Sequence, residues 1–254
     1  ILSIPDEGQY EIIVKAYSND VIVAEKKTGF YLISEDRILY EMQQFPRMKV
    51  DSGISTDFAV QNGNIIPIHG TTYFVTDEYQ KCFLNFNLAR CDEDLKLLQK
   101  DGFRVLRSGN WMLNTDFLGK DGSICKNARR ALQAYFYCAL QYGFHIQFTL
   151  GNITLNDWDR SKCAVHNPQN TRKVLCLIRN FTALFGNYTN VMMDVLNEPS
   201  YSYRGCWRLV LPSGDPYERK AWIAWLKDKY GTIENMRKTW GENAVRFSDF
   251  QSVD

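Results

Sequence analysis

From Asn64 onward, short apolar segments typical of buried strands alternate with longer segments that have helical periodicity. Consecutive parallel strands need crossovers of this length, so the alternation predicts a parallel sheet rather than a series of hairpins. The links from each helix to the next strand are short, whereas the links from each strand to the next helix are long. This asymmetry is typical of a (β/α)8 barrel, in which the loops after the strands carry the function.

Only four strand segments follow this pattern, whereas a complete barrel has eight strands and about 250 residues. The four segments are IIPIHGTTYF, FRVLRSGNW, FHIQFTLGN and NVMMDVLNEP. The sequence therefore predicts an α/β fold of the (β/α)8 TIM-barrel type, limited to about four βα units from the first half of the barrel. A doubly wound open sheet is the main alternative. No Gly-x-Gly-x-x-Gly pattern opens a helix, so the nucleotide-binding form of that alternative has little support.

The helices between these strands have recognisable ends and apolar stripes. Asp92 is expected to cap the helix in CDEDLKLLQKDG, because acidic residues fill the next turn and a glycine follows the end. The helix in NARRALQAYFYCALQYG places Leu132, Tyr135, Phe136 and Ala139 on one stripe. We expect this stripe to pack in the core.

Residues 1–62 have a different character, with Val, Ile, Tyr and Phe in partly alternating runs that Gly, Asn and Asp separate. Asn62 and Gly63 form a dipeptide that strongly predicts a hairpin turn. We predict a β-rich accessory segment over residues 1–62, the end of a β-sandwich, and the N-terminal part of the barrel over residues 63–254. A helical insert of about residues 215–243 should follow the fourth strand, with its tryptophans mainly in a core.

The composition argues against several classes of function. A net charge of +1 creates no field that would attract nucleic acid or an anionic membrane, and no apolar run reaches the roughly 18 residues of a membrane span. The seven cysteines and three histidines show no metal-ligand spacing, so we expect neither a metal nor a cofactor. The sequence does not determine the cellular compartment of the protein, and a secreted location is slightly favoured over the cytoplasm.

Polar and aromatic residues follow the predicted strands, at the end where a barrel enzyme binds its substrate. Each of them has an ordinary structural explanation, but together they favour a polyol ligand. Three of the tryptophans follow strands rather than lie in periodic helices, which suits stacking on a sugar ring. The predicted substrate-binding residues are Tyr73, Arg107, Asn110, Trp111, Trp158, Tyr201 and Trp207.

Glu198 stands at the end of the fourth predicted strand, followed by Pro199. A carboxyl group that aromatic side chains partly shield can have a raised pKa and donate a proton to a leaving oxygen. The preceding Asn197 offers an amide donor and a carbonyl acceptor for a sugar hydroxyl. An exposed loop glutamate before a turn-forming proline is the structural alternative. We predict that Glu198 and Asn197 are catalytic residues.

The segment DVLNEPS resembles the Asn-Glu-Pro motif of clan A glycoside hydrolases, the retaining (β/α)8 enzymes that include cellulases, mannanases and β-galactosidases. GTTYF and GFRVLRSGNW resemble their first two strands, and Arg107 matches the arginine under their active site. DPYERKAWIAWLKDKYGTIENMRKTWG resembles an aromatic insert of β-galactosidase-like members. TGFYLI through IIPIHGTTYF resembles the junction with an accessory β-sandwich in large bacterial members. The resemblance spans roughly Asn64 to Asp254.

The resemblance implies a retaining mechanism in which Glu198 is the acid/base and Asn197 holds the sugar 2-hydroxyl. A second glutamate would be the nucleophile, with the two carboxyl groups about 5–5.5 Å apart. Here the chain departs from the pattern, because the later glutamates, Glu218, Glu234 and Glu242, lie in the predicted helical insert. We therefore expect the nucleophile to be missing from this chain, which alone would be inactive.

These observations predict a glycosidase that acts on O-linked β-glycosides, with an oligo- or polysaccharide as its substrate. The remaining part of the barrel is expected on the same or another polypeptide, because half a barrel leaves an unpaired sheet edge. The alternative is a non-catalytic carbohydrate-binding or scaffold protein derived from such a barrel. The same missing nucleophile motivates that alternative.

Overall fold

The structure, a computed structural model, describes residues 6–51, 53–74, 83, 86–109, 119, 122–151, 167–195 and 216–253. These residues belong to two units. The described part of the first unit lies within residues 6–151 and 176–195, and that of the second within residues 167–175 and 216–253.

Nine strands and six α-helices are present in the described ranges. The strands are β1 (Gly8–Ser18), β2 (Val21–Leu32), β3 (Lys49–Asp51), β4 (Ser55–Gln61), β5 (Asn64–Ile65), β6 (Gly70–Thr72), β7 (Val105–Gly109), β8 (His145–Thr149) and β9 (Val191–Asp194). The helices are α1 (Glu35–Gln44), α2 (Leu88–Lys100), α3 (Lys126–Gln141), α4 (Pro168–Phe185), α5 (Pro216–Tyr230) and α6 (Ile233–Trp240). Among the residues described, none of these helices is long and apolar enough to cross a membrane.

The N-terminal segment combines a long antiparallel hairpin, a helix and a small three-stranded sheet. β1 and β2 pair along their whole length, and β3, β4 and β5 form the second sheet. The predicted turn between β4 and β5 is confirmed, because Asn62 and Gly63 both have positive φ, at 50° and 78°. The predicted β-rich segment also contains the helix α1, which has an acidic first turn and whose buried residues Ile38 and Met42 are four positions apart. A separate accessory domain over residues 1–62 stays a prediction.

The central feature of the first unit is a four-stranded parallel sheet in the order β6-β7-β8-β9. Leu106, Ile146 and Phe148 lie on one face of this sheet and share a core with residues of α2, α3 and the C-terminal part of α4. A doubly wound sheet would carry helices on both faces and reverse its strand order at one point. Sequential strands with helices on one face are instead the arrangement of consecutive units of a (β/α)8 barrel, as the sequence predicts.

The helices of the first unit largely follow their sequence patterns. The predicted stripe of α3 is confirmed, since Leu132, Tyr135, Phe136 and Ala139 are all fully buried. The predicted start of α2 is wrong: the N-cap is Asn87, whose side chain accepts a hydrogen bond from the Arg90 backbone N–H at 3.3 Å. The helix begins earlier because the buried residues before Asp92 continue its apolar stripe.

In the second unit, α5 and α6 pack around a small core that contains Leu226, Met236 and Phe247. Trp222 and Trp240 pack against this core, as the sequence predicts. The prediction is wrong for Trp225, which is 45% exposed and stacks on Trp222 with ring centroids 5.2 Å apart. The helical spacing of an aromatic residue therefore does not fix how deeply its ring is buried.

Candidate active site

The face of the parallel sheet opposite the helices carries polar side chains near the C-terminal ends of the strands. Gly109, Thr149 and Asp194 are paired across β7, β8 and β9. Arg107 lies two residues before Gly109, so the alternation of side chains places it on the same face. In a (β/α)8 barrel this face is the interior, and its C-terminal end is where substrates bind.

Three of these side chains form a charged cluster. The Thr149 hydroxyl donates a hydrogen bond of 2.8 Å to Oδ2 of Asp194. The same oxygen lies 3.9 Å from Nη2 of Arg107, with side chains that are 38% exposed for Arg107 and 24% for Asp194. The predicted site residue Arg107 thus belongs to a cluster with Asp194 and Thr149, which are not among the predicted site residues. The register of β9 against β8 would have revealed them, because it aligns Asp194 with Thr149.

Tyr73 follows β6 on the helix side of the sheet, and it is only 7% exposed. Its hydroxyl donates a hydrogen bond of 3.2 Å to Asp94 of α2, and Ser108 donates to its carbonyl oxygen at 2.9 Å. Burial raises the pKa of the Tyr73 phenol well above its ordinary value, so the group stays neutral. The structure therefore does not support the predicted sugar contact, because side-chain alternation turns Tyr73 away from the face that carries Arg107.

Arg107 and Tyr73 are the members of the predicted site that the structure describes. Within the described residues, no group of three or more His, Cys, Asp or Glu side chains could hold a metal ion. Asp194 stands four positions before the predicted acid/base, within the same predicted strand segment. The predicted residues outside the described ranges are Asn110, Trp111, Trp158, Asn197, Glu198, Tyr201 and Trp207.

The opposite, N-terminal end of this face is filled by His145 and by residues that precede the parallel sheet. The ring of Phe45 lies 4.7 Å from the His145 ring, and the Gln61 amide nitrogen lies 2.9 Å from His145 Nε2. As the amide nitrogen is a donor, Nε2 accepts and must be unprotonated. Nδ1 has no hydrogen-bond partner among the described residues. His145 is thus held neutral in a buried position, which lowers its pKa from 6.5 to about 4.

This lowered pKa makes acid lability an expected property of the first unit. As the pH falls from 6.5 toward 4, the unfolded chain binds a proton at His145 before the folded chain does, so folding loses stability across that window. A difference of about 2.5 pH units corresponds to a loss of about 3 kcal/mol in the free energy of unfolding. Urea unfolding at a series of pH values should show this loss, and His145→Gln should lack it.

His69→Gln is the matched control for that experiment, because His69 is exposed and stacks on Phe103 at 4.2 Å. It should retain the wild-type dependence of stability on pH. Parallel curves for the wild type and His145→Gln would contradict the assignment.

Comparison with known proteins supports the barrel architecture. No family model and no curated protein matches the sequence. Solved structures do match, with 14–16% sequence identity in the three cases that follow. An exo-β-1,4-mannosidase from Opitutaceae bacterium strain TAV5 has 16% identity and a TM-score of 0.52 over 77% of this chain. A β-galactosidase from Marinomonas ef1 has 15% identity and a TM-score of 0.52 over 73% of this chain. A β-mannanase from Mytilus edulis has 14% identity and a TM-score of 0.50 over 76% of this chain.

The chain spans only part of each of these proteins: 34% of the mannosidase, 29% of the β-galactosidase and 60% of the mannanase. At this level of identity the likeness concerns the fold. The parallel sheet with its outer helices is therefore part of a (β/α)8 barrel, and the Arg107–Asp194–Thr149 cluster lies at the C-terminal ends of its strands.

Proposed function

We propose that this chain is part of a retaining β-glycosidase in which Glu198 is the acid/base and Asn197 binds the sugar. The observation that carries the proposal is the charged cluster of Arg107 and Asp194 at the C-terminal ends of barrel strands, with Asp194 three positions before Asn197 in the sequence. The three solved structures with a similar fold are named as a β-mannosidase, a β-galactosidase and a β-mannanase. Their names support a β-linked oligo- or polysaccharide as the substrate class.

The proposed chemistry assigns a separate task to each group. Glu198 protonates the departing glycosidic oxygen and then activates the water that releases the sugar. Asn197 holds a hydroxyl next to the reacting carbon. The Arg107 guanidinium supplies N–H donors for an anionic or hydroxyl oxygen at the same end of the sheet. The carboxylate nucleophile comes from the remaining part of the barrel.

The test uses the full-length protein that the gene encodes, with β-linked manno-, gluco- and galacto-oligosaccharides as substrates. We expect hydrolysis of at least one series, with the β-anomer released first when proton NMR follows the reaction. Release of the α-anomer would refute the retaining mechanism. Absence of hydrolysis in all three series would refute the glycosidase function.

A non-catalytic carbohydrate-binding protein is the second candidate, and the positions of the later glutamates favour it. Glu218 lies in α5, Glu234 in α6 and Glu242 in the 3₁₀ turn Gly241–Ala244, so each of them is on a helical element. A nucleophile is instead expected at the end of a barrel strand. Quenching of tryptophan fluorescence by oligosaccharides that the full-length protein does not hydrolyse would support this candidate over the enzyme.

A further inference from the structure

We propose that Asp194 is a positioning residue: it sets the position of the Arg107 guanidinium and offsets its charge at the rim. The inference rests on the proposed glycosidase function, since it concerns the same site. It assigns a role to Asp194, which lies outside the Asn-Glu-Pro triplet itself. The motivating geometry is the contact of Asp194 Oδ2 with both Thr149 and Arg107.

Asp194 is held in place by its backbone and by its side chain. Its carbonyl oxygen accepts a hydrogen bond of 2.8 Å from the Leu150 backbone N–H, which continues the ladder between β8 and β9. Its carboxylate accepts the 2.8 Å hydrogen bond from Thr149, a fully buried residue of β8. Because β8 is paired on both sides, its side chains have little freedom to move. Asp194 therefore presents a fixed negative charge.

Arg107 approaches this fixed charge without closing a tight pair. The 3.9 Å between Nη2 and Oδ2 is longer than a hydrogen bond, whose usual length is about 2.9 Å. The guanidinium carries five N–H donors in a rigid plane, so attraction to one side still lets other donors point elsewhere. β7 contributes Gly109 to the row of Thr149 and Asp194, and glycine adds no side chain to that row. The carboxylate of Asp194 therefore attracts the Arg107 guanidinium toward the C-terminal end of β9.

The charge of Asp194 also acts on the proposed acid. Asp194 and Glu198 are four positions apart in the chain, so their Cα atoms can be at most about 14 Å apart. A negative charge at this distance raises the pKa of a carboxyl group, whereas a positive charge such as that of Arg107 lowers it. Removal of the Asp194 charge should therefore lower that pKa.

The test compares Asp194→Asn with Thr149→Val in the full-length protein. Asp194→Asn removes the charge but keeps an oxygen that Thr149 can bond, and it should lower kcat/KM by up to about 100-fold through misplacement of Arg107. The alkaline limb of its kcat/KM profile should move to lower pH. Thr149→Val keeps the charge and removes the hydrogen bond, so kcat/KM should fall less and the limb should stay in place. Glu25→Gln, which breaks the remote 3.3 Å ion pair with Lys15, should change neither quantity.

A second readout does not depend on activity. Side-chain ¹⁵N NMR should show slower proton exchange at the Arg107 guanidinium in the wild type than in Asp194→Asn. Equal exchange in the two proteins would overturn the proposal, and so would an alkaline limb that does not move in Asp194→Asn. If the wild type hydrolyses no β-glycoside while the NMR difference is present, the glycosidase function fails and the positioning of Arg107 by Asp194 stands.

Discussion

Replacing Glu198 by glutamine is expected to lower the turnover of β-glycosides with poor leaving groups by about 10²–10⁴-fold. Glutamine keeps the size of the side chain and its hydrogen-bonding oxygen, but it cannot donate a proton to the glycosidic oxygen. Substrates with a sugar or alkyl leaving group need that proton, whereas a dinitrophenolate departs without it. The loss should therefore shrink as the pKa of the leaving group falls. Initial rates on a series of aryl and alkyl β-glycosides measure this dependence in the full-length protein.

Glu234→Gln is the matched control for this series, because Glu234 is an exposed residue of α6 in the second unit. This variant makes the same chemical change at a residue that has no proposed role in catalysis. The turnover of the variant should therefore equal that of the wild type with every leaving group. An equal loss across the whole series in Glu198→Gln would remove Glu198 from the acid/base role. Such a result would point to a carboxylate that binds substrate without transferring a proton.

The parallel sheet could be predicted from the sequence because its evidence is local. Apolar strand segments and helical stripes each occupy fewer than twenty residues, and the short links between a helix and the next strand limit how these elements connect. The buried stripe of α3 illustrates this, since Leu132, Tyr135 and Phe136 were all identified from their spacing and are fully buried. The start of α2 could not be predicted in the same way, because Asn87 and Asp92 are both good capping residues. The packing of the residues between them decides which one caps the helix.

The orientation of rim residues could not be predicted, because it depends on the register between strands. A shift of one residue moves a side chain to the other face of a sheet. Tyr73 was expected beside Arg107, but the pairing of Thr72 with Arg107 turns the next residue toward α2. The role of Asp194 depends on register in the same way. A single acidic residue inside NVMMDVLNEP indicates a polar contact only when the strand register aligns it with Thr149. A candidate site built from chain positions alone therefore mixes both faces of the sheet.

The centre of the first unit's core is an aromatic cluster around Phe136 of α3, which is fully buried. Its ring lies 5.3 Å from that of Phe148 on the sheet, at 84° to it. It also lies 5.2 Å from Phe185 and 6.1 Å from Tyr188, in edge-to-face arrangements. Such pairs stabilise a core beyond the area they bury. Phe136 of α3 therefore joins β8 of the sheet to the C-terminal end of α4.

Phe136→Ala is expected to lower the free energy of unfolding by about 3–5 kcal/mol, because the lost ring leaves a cavity among rigid aromatic neighbours that cannot collapse into it. Chemical denaturation followed by far-UV circular dichroism measures this loss. Leu97→Ala in α2 is the matched control: Leu97 is 61% exposed, so truncation should change stability by less than about 0.5 kcal/mol. Similar losses for the two variants would contradict the packing of α3 against the sheet. Since Phe148 lies one residue before Thr149 on β8, that outcome would also weaken the structural basis of the charged cluster.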